Sequence, residues 1–322
     1  MLRFILQRAL YALPLILVII VVMFTLLHLI PGDPVQALVG DYPVPPAYRQ
    51  AIEEKYRLND PFLTQVWNYV TAVLQGDFGF SYQNQRPVLG LILERAPRTI
   101  LLASVGFAFA IPLGMAIGVI TGTTRSATTD KIWTTSALIA YAIPTFWLGQ
   151  LLVMFFALRL GWFPTQGIGP LVSRAHGFDW VLERGRYLAL PALAFAIHEG
   201  MRFARIMRAS VIDTLSQGYI ITARSKGLTR GQIIRRHVLR NSSLPLVTIA
   251  GYAFGSALSG AVLLETVFTW PGLGLLMVDS IRLRDNLTVI GVVIFSALAV
   301  ILMNLLVDIL YALLDPRIRT GG

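Results

Sequence analysis

Apolar residues run along this chain in long unbroken stretches, separated by short segments in which Arg, Lys, Pro and Gly collect. A membrane-crossing helix needs about 20 predominantly apolar residues. Six stretches meet that length, at residues 9–30, 99–122, 132–158, 187–207, 244–266 and 287–314. The pattern therefore predicts an all-α polytopic membrane protein with six transmembrane helices. The first stretch follows Arg3 and Arg8, as a secretory signal core would. It is too long for one, and it leads into Pro31-Gly32-Asp33-Pro34 without a small-residue cleavage site. Residues 1–30 are thus expected to remain as an N-terminal transmembrane helix. Residues 31–98 form an external segment containing Pro43, Pro45 and Pro46, with short helices expected at 51–58 and 62–74. Phe62, Val66, Trp67, Val70 and Val73 recur there at helical spacing, which favours an ordered cap.

Composition and charge orient this arrangement. Only 14% of the residues are charged and 55% are hydrophobic, so lipid is the solvent for most of the chain. Six spans put both termini on one side. The segments on that side, with the span ends next to them, hold fifteen of the 27 Lys and Arg residues in short stretches, among them Arg125, Lys131, Arg208, Arg317 and Arg319. The longer segments 31–98, 159–186 and 267–286 hold the rest, beside most of the acids. The positive-inside rule then makes both termini cytoplasmic. The remaining layout is a core of five spans over 99–314, a cytoplasmic loop at about 208–243 and a tail at 315–322. The net charge of +10 is spread through loops and forms no single stripe, which argues against nucleic acid. The absence of cysteine excludes disulfides, thiolate metal sites and iron–sulfur clusters.

Two features of the spans bear on motion. Gly106, Ala110, Gly114, Gly118 and Gly122 recur every four residues, so one face of the second span carries almost no side chain and another backbone can approach it. Gly251, Gly255 and Ser259 repeat the device in the fifth span, and Pro112 and Pro144 are expected to interrupt the second and third. Such helices suit sliding or rocking, although small stripes also pack static bundles. The ionisable residues in or near spans are His28, His198, Glu199, Arg202, Glu265 and Asp308. Glu199 and Arg202 are three apart on one helix face and are placed to pair. No chain of ionisable groups at mid-depth suggests a proton relay.

The most informative segment lies between the fourth and fifth spans. From Ser210 the sequence reads as helix up to Gly227, where a left-handed residue can stop it. Thr229 then offers an N-cap oxygen and Gln232 completes a capping box, which starts a second helix running to about Arg240. Asn241-Ser242-Ser243-Leu244-Pro245 is expected to end that helix and lead back into lipid. A basic loop could simply be an anchor on anionic lipid, but that explains the arginines and not the turn punctuation.

Tyr219-Ile220-Ile221-Thr222-Ala223-Arg224-Ser225-Lys226-Gly227-Leu228-Thr229, followed by Arg236-His237-Val238-Leu239-Arg240-Asn241 and Leu244-Pro245, resembles the EAA-type coupling loop of ABC importer permeases. The form is that of the dipeptide, oligopeptide and nickel branch. The wider family has Glu-Ala-Ala where this chain has Ile221, Thr222 and Ala223, a departure that is similar to the peptide branch. Other segments resemble the same branch: Leu27 to Pro34, Gly76 to Ser81 with Arg86-Pro87-Val88, Pro144 to Gly149, Glu265 to Gly274, and Asp315 to Arg319. The resemblance covers nearly the whole chain.

The resemblance implies a type I ABC importer permease fold and a permease subunit that carries short peptides, with nickel chelates or glutathione as alternatives. It implies a second homologous permease, two ATP-binding subunits holding ATP and Mg, and an external solute-binding protein. Tyr219, Thr222, Ala223, Arg224, Ser225, Lys226, Gly227 and Leu228 would couple to the ATP-binding subunit, with the small Ala223 close to the partner surface. The chain itself has no Gly-x-x-x-x-Gly-Lys-Ser/Thr phosphate loop, so hydrolysis falls to the partners and no cofactor or metal is expected here. A channel would need a polar ring or filter, and a hydrolase would need a nucleophile beside one of His28, His176, His198 or His237. Neither pattern is present. A proton-coupled secondary transporter is the remaining rival class.

Overall fold

The computed structural model describes residues 2–29, 35, 45–56, 58, 60–81, 83–124, 126–170, 175–258 and 261–314. Pro31-Gly32-Asp33-Pro34, Pro43, Arg125, Ser259 and the tail from Asp315 lie outside them. In chain order the elements are α1 (Leu2–His28), α2 (Pro46–Tyr56), α3 (Phe62–Leu74), β1 (Phe80–Ser81), β2 (Arg86–Pro87), α4 (Val88–Thr123), α5 (Ala127–Ala142) and α6 (Thr145–Leu152). After a π-helical stretch, Val153–Arg159, follow α7 (Phe178–Ser216), α8 (Gly218–Ser225) and α9 (Arg230–Ile233). A second π-helical stretch, Ile234–Val238, leads into α10 (Leu239–Leu258), α11 (Val262–Val267), α12 (Leu273–Arg282) and α13 (Asn286–Leu314).

These elements form two compact units, which cut across the expected core at 99–314. The first comprises residues 1–99, 255–262 and 271–322. Ile20, Phe24 and Leu27 of α1, Tyr69, Val70 and Val73 of α3, and Leu287, Ile290 and Ile294 of α13 share its core. Of the apolar residues anticipated on this helix, Val70 and Val73 are buried and Val66 is partly buried, whereas Phe62 and Trp67 are exposed and Tyr69 takes a core position instead. Asp285 ties the β1–β2 hairpin to this core. Its buried carboxylate accepts hydrogen bonds from the Ser81 hydroxyl at 2.5 Å and the Thr288 hydroxyl at 2.7 Å, and it caps the first turn of α13 through the Thr288 backbone N–H at 3.3 Å. That network gives Ser81, at the end of the Gly76 to Ser81 segment, a structural task.

The second unit comprises residues 100–254 and 263–270. Its core packs Leu102, Phe107 and Ala110 of α4 with Phe195, Phe203 and Met207 of α7, all of them buried. The Phe107 ring lies 5.2 Å from that of Phe195 and 5.3 Å from that of Phe254. Two of the motif segments meet here. A Cβ added to Gly149 of α6 would lie 3.1 Å from the Phe268 ring and 3.4 Å from Leu264, so the glycine admits that aromatic side chain. The pair Glu199 and Arg202 forms, at 3.2 Å.

Several expectations about the helices need correction. Among the described residues α4 and Asn286–Ile309 of α13 are each long and apolar enough to cross a membrane alone. The third stretch, 132–158, is not one helix, because α5 and α6 meet at a bend of 96°. Ile143 precedes a proline and is extended (φ −68, ψ 123), and α6 restarts on the Pro144 carbonyl, which accepts from Leu148 N–H at 3.0 Å. Pro112 does not interrupt α4, which is helical through it. Its missing N–H costs one backbone bond, and packing on both sides holds the helix. The fifth stretch, 244–266, is not one helix either, since Ala261 is non-helical between α10 and α11. Finally, Asn241 to Pro245 do not end a helix, because α10 runs straight through them.

Candidate coupling loop

The turn at the centre of the loop is fixed by local chemistry. α7 stops where Gln217 turns extended (φ −70, ψ 142), and α8 starts at Gly218. Gly227 ends α8 in the left-handed region at φ +77. Its N–H donates to the Arg224 carbonyl at 2.9 Å, and Leu228 N–H donates to the Ala223 carbonyl at 3.3 Å. These are the two bonds of a Schellman motif, which satisfies carbonyls the helix end would leave bare. Two residues later the reciprocal capping box is complete. Thr229 N–H donates to Gln232 Oε1 at 2.8 Å, and Gln232 N–H donates to Thr229 Oγ1 at 3.4 Å. The anticipated helix, turn and second helix are thus present, and the second helix continues into α10.

Burial divides the loop residues into two sets. Ile220, Ala223, Ile233 and Val238 are buried and form the inner side of the hairpin. Tyr219, Thr222, Arg224, Ser225, Lys226 and Gly227 are exposed, and Leu228 is half-buried. Ala223 was expected close to a partner's surface; at 6% exposure it is packed inside the loop instead. Its smallness serves the close packing of α8 within its own chain. Tyr219 is exposed but positioned, since Asn241 Nδ2 donates to its hydroxyl at 3.1 Å and the His237 ring lies 6.4 Å away.

Three polar contacts fasten this hairpin and its surroundings to the helices of the second unit. The Arg230 guanidinium donates to the Thr123 carbonyl at the C-terminal end of α4, where a cation also meets the negative end of the helix dipole. Ser242 Oγ donates to Thr214 Oγ1 at 2.9 Å, which joins α10 to α7. Arg208 grips Asp130 with two parallel bonds, Nε to Oδ1 at 3.1 Å and Nη2 to Oδ2 at 2.9 Å, joining α7 to the first turn of α5. The hydrogen bond from Arg208 holds the Asp130 carboxyl below its usual value. Sequence spacing gave no sign of these pairs, because their members lie 28 to 107 residues apart. A cavity of about 380 Å3 remains between the end of α4 and the hairpin, lined by Thr124, Leu215, Arg224, Leu228 and Ile234 among others.

The bare face of α4 meets α7. A Cβ on Gly114 would lie 2.5 Å from Phe203 Cβ and 2.9 Å from the Gly200 carbonyl oxygen. One on Gly118 would lie 2.5 Å from Met207 Cβ, and one on Gly122 would lie 2.7 Å from Val211 Cγ1. One on Gly106 would lie 2.6 Å from the Phe195 ring. In the first unit a Cβ on Gly255 would lie 3.1 Å from Met303 Cβ, a milder contact, and in the second unit Gly251 is half-buried. No cluster of potential metal ligands occurs among the described residues.

Comparison with known proteins places these features. Residues 114–320 match the family described as binding-protein-dependent transport system inner membrane component, and residues 1–103 match the corresponding N-terminal family. The chain is 38% identical over 320 residues to the oligopeptide transport system permease protein AppB of Bacillus subtilis, covering 99% of this chain and 100% of that one. It is 36% identical over 322 residues to the glutathione transport system permease protein GsiC of Escherichia coli K12, covering 99% of each. Among solved structures an inward-facing MetNI methionine ABC transporter chain superposes with a TM-score of 0.57 at 16% identity, covering 70% of this chain and 97% of that chain. That likeness concerns the fold.

Proposed function

The chain belongs to the binding-protein-dependent transport system inner membrane components, and from that premise we propose that it is the peptide-carrying permease subunit of an ATP-driven importer. Membership makes it a multi-pass protein of the inner membrane, in the peptide and nickel branch of type I ABC importer permeases. With a homologous permease it would form the translocation pathway for short peptides delivered by an external solute-binding protein. Its six spans would leave both termini in the cytoplasm. Relatives named for oligopeptides and for glutathione, itself a tripeptide, support a peptide solute.

The observation that carries the mechanism is the Schellman turn and capping box at Gly227 and Thr229. They make the loop a rigid hairpin rather than a floppy anchor, and the Arg230 contact with Thr123 fastens it to the helix that carries the glycine face. Two ATP-binding subunits, closing on ATP and Mg, would push on Tyr219, Thr222, Arg224, Ser225, Lys226, Gly227 and Leu228. The hairpin would pass that displacement to α4, α7 and α10 as a two-state transition biased by nucleotide.

The test is a pair of substitutions measured in the assembled transporter. Gly227→Val places a β-branched residue at φ +77, and Ala223→Glu forces a carboxylate into the buried side of α8. Both should abolish uptake of labelled peptide and release or uncouple the ATP-binding subunits, while solute binding to the external receptor is unchanged. Normal uptake with solute-stimulated ATPase in both variants would reduce the hairpin to a lipid anchor and sink the reading.

A further inference from the structure

α7 carries His198, Glu199, Arg202 and Arg205 inside or at the edge of its apolar stretch, where charged groups are costly unless they line a wet space or meet a ligand. Their contacts differ. Arg202 is committed to Glu199 at 3.2 Å. Arg205 is exposed and has neither an ion pair nor a hydrogen bond among the described residues. Its guanidinium lies over the Tyr141 ring, 5.3 Å from the centroid. The other partner of that ring is His198, stacked at 5.2 Å with an interplanar angle of 24°. The Nδ1 atom of His198 is buried without a hydrogen-bond partner among the described residues.

The direction of Arg205 is informative. Its Cα lies seven residues beyond that of His198, about 10 Å along a helix. An arginine near the cytoplasmic end of a span would ordinarily snorkel outward to the headgroups. Here the side chain reaches back along the helix, toward the ring that His198 occupies and so toward the middle of the apolar stretch at 187–207. A guanidinium held over an aromatic ring spends no N–H donor on it, and a planar carboxylate matches the fork those donors form.

We propose that Arg205, on its Tyr141 platform and beside His198, holds the terminal carboxylate of the peptide as it passes through the permease. The site is a passing contact that discriminates among solutes. It rests on the peptide reading given above, because the ligand it fits is the free carboxylate of a small zwitterionic solute. Glu199 is occupied by Arg202, so the cluster offers one unneutralised cation.

The experiment uses the complete transporter in proteoliposomes with its receptor, and two probes, tri-alanine and tri-alanine amide, at concentrations that load the receptor. The receptor's own preference is common to every permease variant and cancels in the ratio of the two uptake rates. Arg205→Gln should lower the tri-alanine to tri-alanine amide ratio about tenfold, the loss of one charge-assisted hydrogen bond. Arg205→Lys should recover part of it. An Arg205→Gln transporter that retains the wild-type ratio overturns the proposal and leaves the peptide reading standing. Loss of uptake of both probes in equal proportion, with Arg205→Lys no better, also overturns it, since that is the signature of a structural role. If wild type imports neither probe while another solute is imported, the peptide reading fails first and the carboxylate site fails with it.

Discussion

Adding a single methyl group to the bare face of α4 is the most direct test of its packing. In Gly118→Ala the new Cβ would lie 2.5 Å from Met207 Cβ, 2.8 Å from Met207 Cγ and 2.8 Å from the Ala204 carbonyl oxygen, against an ordinary contact floor of 3.4 Å. The helices would have to separate by about 0.9 Å, and two of the three obstacles cannot rotate away. Overpacking of this kind costs about 1–3 kcal/mol, while replacing glycine by alanine inside a helix returns up to about 1 kcal/mol. The net expectation is a loss of up to about 2 kcal/mol. Gly90→Ala, in the same helix with nothing within 4 Å of the added Cβ, supplies the control and should be neutral or slightly stabilising. Thermal inactivation of the purified complex, read by loss of solute-stimulated ATPase and by aggregation, compares the two. Met207→Ala should not rescue Gly118→Ala, because Met207 Cβ and the Ala204 carbonyl both remain. A Gly118→Ala complex as stable as the Gly90→Ala one would mean that α4 and α7 are not in contact at this face.

Two further expectations concern orientation and the first unit. Single cysteines at Asn84 and Gln166, both exposed, should react with an impermeant thiol reagent from outside sealed cells, and one at Ser225 should not; external labelling at Ser225 would invert the topology inferred from Lys and Arg. Asp285→Ala removes the cap of α13 and strands the buried Ser81 and Thr288 hydroxyls. A destabilisation of about 2–4 kcal/mol is expected from the lost cap and the unpaired groups. Proteolytic nicking of the β1–β2 hairpin in membranes should rise accordingly, and unchanged protection would show that the hairpin is held by other contacts.

What the sequence disclosed about the loop was what depends on neighbours a few residues away. Gly227 and the Thr229–Gln232 pair act within one turn of the chain, so their conformation could be read from residue type and spacing alone. Ala223 is harder to read for the opposite reason. A small residue in a docking motif can be small for a partner or for its own interior, and only the burial beside Ile220, Ile233 and Val238 separates the two. The four-residue glycine period disclosed a bare face but not its occupant. The partner carries a matching signal, since Phe203, Met207 and Val211 of α7 also recur every fourth residue and fill the row that the glycines leave open.

Pro112 and Pro144 show where local reading stops, because each follows an isoleucine in an apolar stretch and the two were expected to act alike. Two residues to either side of Pro112, α4 is held against α7. A Cβ on Gly200 would lie 3.3 Å from the Ala110 carbonyl oxygen, and one on Gly114 would lie 2.9 Å from that of Gly200. Kinking α4 at Pro112 would pull that seam apart, so the helix tolerates one missing hydrogen bond instead. At Pro144 the chain instead folds through 96°, with α5 and α6 each packed against α7 on either side of the break. The same seam gives the coupling proposal its mechanical content. On that proposal, a helix unbroken at its proline and fastened at Thr123 to Arg230 would carry a push on the hairpin along the glycine face of the second unit rather than absorb it at a kink.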